Sequence, residues 1–297
     1  MNTVEFHHVT KRRKGFSIED LNITIPKGYI TGFIGPNGSG KTTTIQMMMD
    51  ILQIDEGDIK LFGTSHKDHT VKQRIGFVYD DLFMYEDFTI KNMKSFIAPL
   101  YKTWNEVLFQ KYVEEFELPL RKKIKKLSKG MKMKTSLLFA LSHEPEFIVM
   151  DEPTSGLDPI FRRELLDKLQ EMMVRENQTI FLSSHITTDL DRIADHIIFI
   201  YQGKIMLQKA MDEIREQFYV IKGRSDIIDT DTRELFIGIQ DSELGFTALF
   251  EGDPLLFEPF GNDIVIEKAT LEDIMYFMTR KEKLNREASI SEGTTVN

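Results

Sequence analysis

An α/β fold built around a mostly parallel sheet is predicted by three features of the sequence. Short apolar segments alternate with helix-like ones through most of residues 1–215, the pattern of buried strands separated by covering helices. One apolar segment, residues 29–34, runs straight into a Gly-rich turn and then into a helix-like stretch. After about residue 216 the texture changes to short, separated strand-like segments, which marks a small C-terminal α/β domain over 216–280.

Residues 4–9 and 21–25 show partial period-2 alternation and read as strands, whereas 29–34 reads as a more buried strand. A helix pattern follows from Lys41 to about Leu52, and 58–62 and 74–79 are further strand candidates. Residues 88–142 read as an inserted helical subdomain. There Thr103 and Glu106 have the spacing of a capping box, and Ser128 is placed to cap a helix running through Leu141. Residues 147–150 form a short apolar strand, and Asp158-Pro159 opens a helix with a good N-cap and a proline in its first turn. Strands at 179–183 and 197–200 flank a short helix at 187–193. In the second domain 218–221, 246–250 and 264–266 are strand candidates. An amphipathic helix over 270–280 follows, with Leu271, Ile274, Met275 and Phe277 on one face. The last stretch, 281–297, is polar and expected to be a disordered tail.

Composition excludes several function classes. With 38 Lys+Arg against 47 Asp+Glu the net charge is -9, which argues against broad nucleic-acid binding, since that needs a basic surface. There is no cysteine, so disulfides, thiol catalysis and Cys-based zinc sites are out. The longest apolar runs, 137–141 and 197–201, fall far short of the roughly 20 residues of a membrane span. Residues 1–10 are polar and charged, without the apolar region of a secretory signal, and a cytoplasmic location is expected.

Three local patterns carry chemistry. Gly35-Pro36-Asn37-Gly38-Ser39-Gly40-Lys41-Thr42 fits G-x-x-x-x-G-K-[ST] between a strand and a helix. Its glycines let backbone N–H groups face phosphate oxygens at a helix N-terminus, Lys41 supplies a point charge for the β- and γ-phosphates, and the Thr42 hydroxyl is a ligand for Mg²⁺. The strand 147–150 ends in Asp151-Glu152, acids at the rim where ligands bind in open α/β sheets. Asp151 can hold Mg²⁺, and Glu152, one residue further out, can orient or deprotonate a water. After the strand 179–182 comes Ser183-Ser184-His185, which puts a histidine at the same sheet edge, within reach of a γ-phosphate.

These residues, in this order, resemble the ATP-binding subunit of an ABC transporter, with a P-loop NTPase core. Leu127-Ser128-Lys129-Gly130-Met131 is similar to the family's Leu-Ser-Gly-Gly-Gln signature, and 151–158 resembles the Walker B end and D-loop. His185 resembles the switch histidine. The resemblance covers about residues 1–215. It implies that ATP, with Mg²⁺, is bound along Gly35 to Lys41, Thr42 and Thr43, and that Glu152 and His185 are catalytic. It also implies that two subunits sandwich two ATP molecules, each between one phosphate loop and the partner's Ser128, Gly130 and Asp158. The partners it implies are an integral membrane subunit and a second ATPase subunit, identical or related, with no nucleic acid; the chain would sit on the inner face of the cell membrane. The stretch 270–275 resembles the C-terminal helix of exporter subunits that work with ABC-2-like membrane proteins, including those for drugs and antimicrobial peptides. The alternatives are a soluble ABC-type ATPase acting on translation or DNA, which usually carries two cassettes or a long coiled-coil insertion, and a regulatory ATP-binding module without hydrolysis, against which Glu152 and His185 argue.

The chain departs from the pattern at several points. Lys129 replaces a signature glycine and Met131 the glutamine, and Asp80 stands at the Q-loop position, where it could hold Mg²⁺ or a water. No tyrosine is placed to stack adenine; Arg12, Arg13 and Phe16 are the candidates. Eight Lys/Arg lie within 121–134, as a solvated face, as a positive field drawing in nucleotide, or as a nucleic-acid patch, the last disfavoured because no stacking aromatics interleave it. The aromatic-rich stretch Phe83, Tyr85, Phe88 and Phe96 supplies core to the helical subdomain, and part of it is expected to meet a cytoplasmic helix of the membrane subunit.

Overall fold

The computed structural model describes residues 1–79, 84–176 and 178–293. The chain divides into two compact units, Met1–Gln208 and Lys209–Asn297. This division comes earlier than the 215/216 boundary expected from texture. The Lys209 ammonium bonds Gln217 Oε1 and Glu251 Oε1 at 2.7 and 2.6 Å, which ties it to the second unit before the strand-like segments begin.

The first unit opens with β1 (Asn2–Arg13) and β2 (Phe16–Pro26), an antiparallel pair, followed by the fully buried β3 (Ile30–Ile34). Helix α1 (Lys41–Met48) comes next. It stops short of Leu52 because Asp50 turns into the left-handed region (φ 57) and the amides of Ile51 and Leu52 bond back to Gln46 O. Then come β4 (Glu56–Leu61), β5 (Thr64–Ser65), α2 (His69–Lys72) and β6 (Ile75–Val78). The helical subdomain contains α3 (Ile90–Ile97), α4 (Glu106–Glu115) and α5 (Lys129–Leu141). The Thr103–Glu106 capping box does not form. Asn105 caps α4 by accepting from Leu108 N at 3.0 Å, while the Thr103 hydroxyl donates to His143 O at 2.7 Å, because the helix begins at Glu106 itself. The unit continues with β7 (Phe147–Met150), α6 (Pro159–Glu176), β8 (Thr179–Ser184), α7 (Thr187–Ile193), β9 (His196–Tyr201) and β10 (Lys204–Ala210). The last strand was not foreseen; Gln202 and Gly203, both at positive φ (48 and 78), make the tight turn that folds it back on β9.

A six-stranded sheet runs β10-β9-β3-β8-β7-β6, and its strands β9 to β6 pair in parallel. A four-stranded sheet, β2-β1-β4-β5, faces α1. Between them lies one core in which Phe6, Ile23, Ile45, Met47, Phe33, Phe181 and Ile198 pack; each buried side chain of this size stabilises by about 1.5–3 kcal/mol. Register decides the function. Ile34 lies opposite Ser184, and Met150 opposite Leu182, so β3, β7 and β8 end together at one sheet edge.

The second unit holds α8 (Met211–Gln217), β11 (Phe218–Gly223), α9 (Thr230–Glu234), β12 (Phe236–Ser242), β13 (Gly245–Glu251), β14 (Ile264–Lys268) and α10 (Leu271–Gly293). Its antiparallel sheet, β12-β13-β11-β14, encloses Ile221, Phe236, Phe246, Phe250 and Phe257. Strand β12 escaped the sequence reading because its side chains are mostly half-buried or exposed. Residues 281–293, expected as part of a disordered tail, are helical: they extend α10 with residues such as Lys, Glu, Leu, Arg and Ala, which favour helix.

Candidate active site

The loop after β3 is shaped by close approach. A Cβ at Gly35 would collide with Ile200 O, and Gly40 sits at φ 115, where side-chain-bearing residues are strained. The loop's crest is anchored where Gly203 N donates to Ser39 O at 2.8 Å. The Lys41 ammonium, 5% exposed, donates to Gly35 O at 2.6 Å and Pro36 O at 3.3 Å, so the loop folds around its own cation. Thr42 is exposed and Thr43 half-buried, both on a cavity of about 270 Å³ that Asn37, Gly38 and Gly40 also line. Ser39 and Pro36 are held in the loop turn, with Ser39 N donating to Pro36 O at 3.1 Å.

Of the two acids that follow β7, Glu152 lines this cavity and Asp151 is buried behind it. Asp151 is 6% exposed, and its Oδ1 accepts from Ser183 Oγ at 2.6 Å. The same Ser183 oxygen accepts from Glu152 N at 2.9 Å, so one hydroxyl fixes both the buried carboxylate and the backbone of its neighbour. Glu152 adopts φ 49, a left-handed conformation that costs about 1–3 kcal/mol in a residue with a side chain. That turn aims its carboxylate into the cavity. Oε1 lies 3.2 Å from Lys41 Nζ, and Oε2 lies 2.7 Å from His185 Nδ1. Lys41, Glu152 and His185 thus form one chain of contacts, with Ser155 on the cavity wall beside them. The link through Ser183 was not foreseen. Its only signal in the sequence is a polar residue at the end of a buried strand, and its target is set by cross-strand pairing. An exposed threonine hydroxyl and a buried, oriented carboxylate are hard oxygen donors, a set that fits Mg²⁺ sharing phosphate oxygens.

The signature residues are elsewhere. Ser128 caps α5 by accepting from Met131 N at 3.3 Å, and Asp158 caps α6 by accepting from Ile160 N and Phe161 N at 3.2 and 3.0 Å. Ser128, Gly130 and Asp158 line a second cavity of about 600 Å³ that shares no residue with the first. Asp80 and Phe83 lie outside the described residues. Of the adenine-stacking candidates, Arg12 is held by Glu56 at 2.6 Å, whereas the Phe16 ring rests against the phosphate loop, 3.0 Å from where a Gly40 Cβ would stand.

Residues 18–155 match the model of the ABC transporter family. The Bacillus subtilis ABC transporter ATP-binding protein YhcH is 34% identical over 221 residues, covering 72% of each chain. The chain belongs to the ABC transporter ATP-binding proteins. The bacitracin transport ATP-binding protein BcrA of Bacillus licheniformis is 32% identical over 205 residues, covering 68% of this chain and 67% of that one. Among solved structures, an ATP-binding subunit of an ABC transporter superimposes with a TM-score of 0.65 at 26% identity, covering 72% of this chain and 92% of that one. The ATP-binding cassette MJ0796, solved as a dimer in a post-hydrolysis state with ADP and Pi, shares the fold: TM-score 0.62 at 21% identity, covering 70% of this chain and 98% of that one. An ABC ATP-binding protein is an ATPase that works with membrane subunits. Among the described residues no helix is long and apolar enough to cross a membrane.

Proposed function

We propose that this ABC ATP-binding protein hydrolyses ATP at the Lys41–Glu152–His185 cavity to power export through a separate membrane subunit, as a dimer on the inner face of the cell membrane. The observation that carries the chemistry is the placement of the Glu152 carboxylate between the phosphate-loop ammonium at 3.2 Å and the His185 imidazole at 2.7 Å. A γ-phosphate reaching Lys41 competes with Glu152 for that cation and leaves the carboxylate to His185 and to water. Glu152 then takes a proton from the water as its oxygen forms a bond to the γ-phosphorus. The bond from the γ-phosphorus to the bridging oxygen breaks, releasing ADP and phosphate. Loop amides and Lys41 hold the growing charge, and His185 keeps the carboxylate in line. Thr42 and Asp151 would hold Mg²⁺, which neutralises the phosphate oxygens. Asp80 at the Q-loop position is a candidate third contributor.

That the two cavities share no lining residue supports the dimer, in which Ser128, Gly130 and Asp158 would face the phosphate loop of another copy or a related subunit. The packing of Phe16 on Gly40 favours its ring as the adenine platform. For the membrane partner we propose an ABC-2-like protein, on the strength of the C-terminal helix, and bacitracin, named in the relative BcrA, as the first cargo to test. Glu152→Gln is expected to lower hydrolysis by at least about 10²-fold while ATP traps a stable dimer. Normal turnover by that variant would remove Glu152 from the role of base. Recovery of an integral membrane protein with the purified complex tests the coupling, and ribosomes in its place would refute it.

A further inference from the structure

Lys129 stands at the first position of α5, beside the capping Ser128. A cation there faces the positive end of the helix dipole, and the first turn carries no acidic residue to offset it. Its side chain is nonetheless placed, not splayed. It crosses Gly156, where an added Cβ would come within 2.5 Å of Nζ and 3.4 Å of Cε, and Gly156 holds φ 65. Lys129 is exposed and makes no ion pair among the described residues, although Glu117, Asp158 and Glu164 line the same cavity. The neighbouring Lys134 is engaged over the Phe161 ring at 4.9 Å. Lys129 is therefore an uncompensated cation beside Ser128 and Gly130, on a cavity that its own phosphate loop does not enter.

We infer that Lys129 contacts the terminal phosphates of the ATP held by the partner copy, adding a charged donor to the neutral contacts of Ser128 and Gly130. The assignment rests on the sandwich arrangement proposed above. An ammonium on a polyphosphate makes a charge-assisted bond, stronger than a neutral one and weakened by salt. Because the side chain lies across Gly156, it also joins the signature helix to the loop that carries Asp158, so both move onto the partner's nucleotide together.

The test uses the full chain in the Glu152→Gln background and reads the ATP concentration for half-maximal dimerisation by analytical ultracentrifugation at several salt concentrations. Lys129→Met, which keeps the stem and removes the charge, is expected to raise that concentration about tenfold and to flatten its salt dependence. Lys129→Arg is expected to stay within about twofold of the parent. An unchanged midpoint in Lys129→Met, or an equal loss in Lys129→Arg, overturns the role of Lys129 while leaving the sandwich intact. If Glu152→Gln alone shows no ATP-driven dimer, the sandwich fails and the assignment falls with it.

Discussion

At the phosphate loop the polar side chains hold one another: Lys41 grips Gly35 O and Glu152, Glu152 grips His185, and Ser183 joins Asp151 to the Glu152 backbone. At the signature end Ser128 and Asp158 hold only the starts of the helices they cap, and Lys129 makes no ion pair among the described residues. The first region is a site built within one chain. The second is a surface whose chemistry is addressed outward. Braced groups belong to steps a single chain can begin, and unbraced ones to steps that wait for another molecule.

The sharpest way to break this contrast is to delete a member of each region. Lys41→Ala is expected to weaken nucleotide binding by the isolated chain by about 10²–10³-fold, since a preorganised cation on the phosphates is lost. Ser128→Ala should lose about 1 kcal/mol of stability through its cap, yet keep the single-chain affinity measured by calorimetry. Equal losses in both would erase the distinction. A smaller effect is expected of Ser183→Ala, which touches no substrate: about 10–100-fold in kcat, with nucleotide affinity largely kept, because Asp151 and Glu152 lose their common anchor.

The least effect concerns pH, and it compares the far ends of the two helices. His66 lies near Asp50, just past the end of α1, at 3.9 Å, and His143 follows α5, facing Ile75 O at 3.1 Å and stacked on Tyr101. Burial pushes both imidazoles below the ordinary value of 6.5. The unfolded chain then binds protons that the folded chain refuses, so their contribution is complete above about 6.5 and is lost as the pH falls through the lowered values. Tm should drop between about pH 7 and 5, and a variant such as His143→Gln should flatten the slope. A Tm that rises on acidification would contradict the sign.

Local patterns were legible in the sequence because strand, turn and helix follow one another within a few residues. The phosphate loop and the Asp151-Glu152 strand end are of this kind, and so is the Ser128 cap. What the sequence hid depends on partners far along the chain. Ser183 serves Asp151 only because β7 and β8 are neighbours, and the Phe16–Gly40 contact needs β2 beside the loop. Thr103 looked like a cap until a carbonyl forty positions on claimed its hydroxyl. The end of α10 reads as a tail because it is polar, yet residues that favour helix carry it on to Gly293.

The bond from Gly203 N to Ser39 O has a consequence for how a nucleotide is received. The β9–β10 turn also abuts β2 so closely that a Cβ at Gly203 would strike Ser17 O. The cradle's curvature is consequently fixed by the assembly of distant strands, and an incoming triphosphate need not spend binding energy ordering it. A methyl group added at position 203 should be felt as a looser grip on nucleotide, in a residue that never meets one.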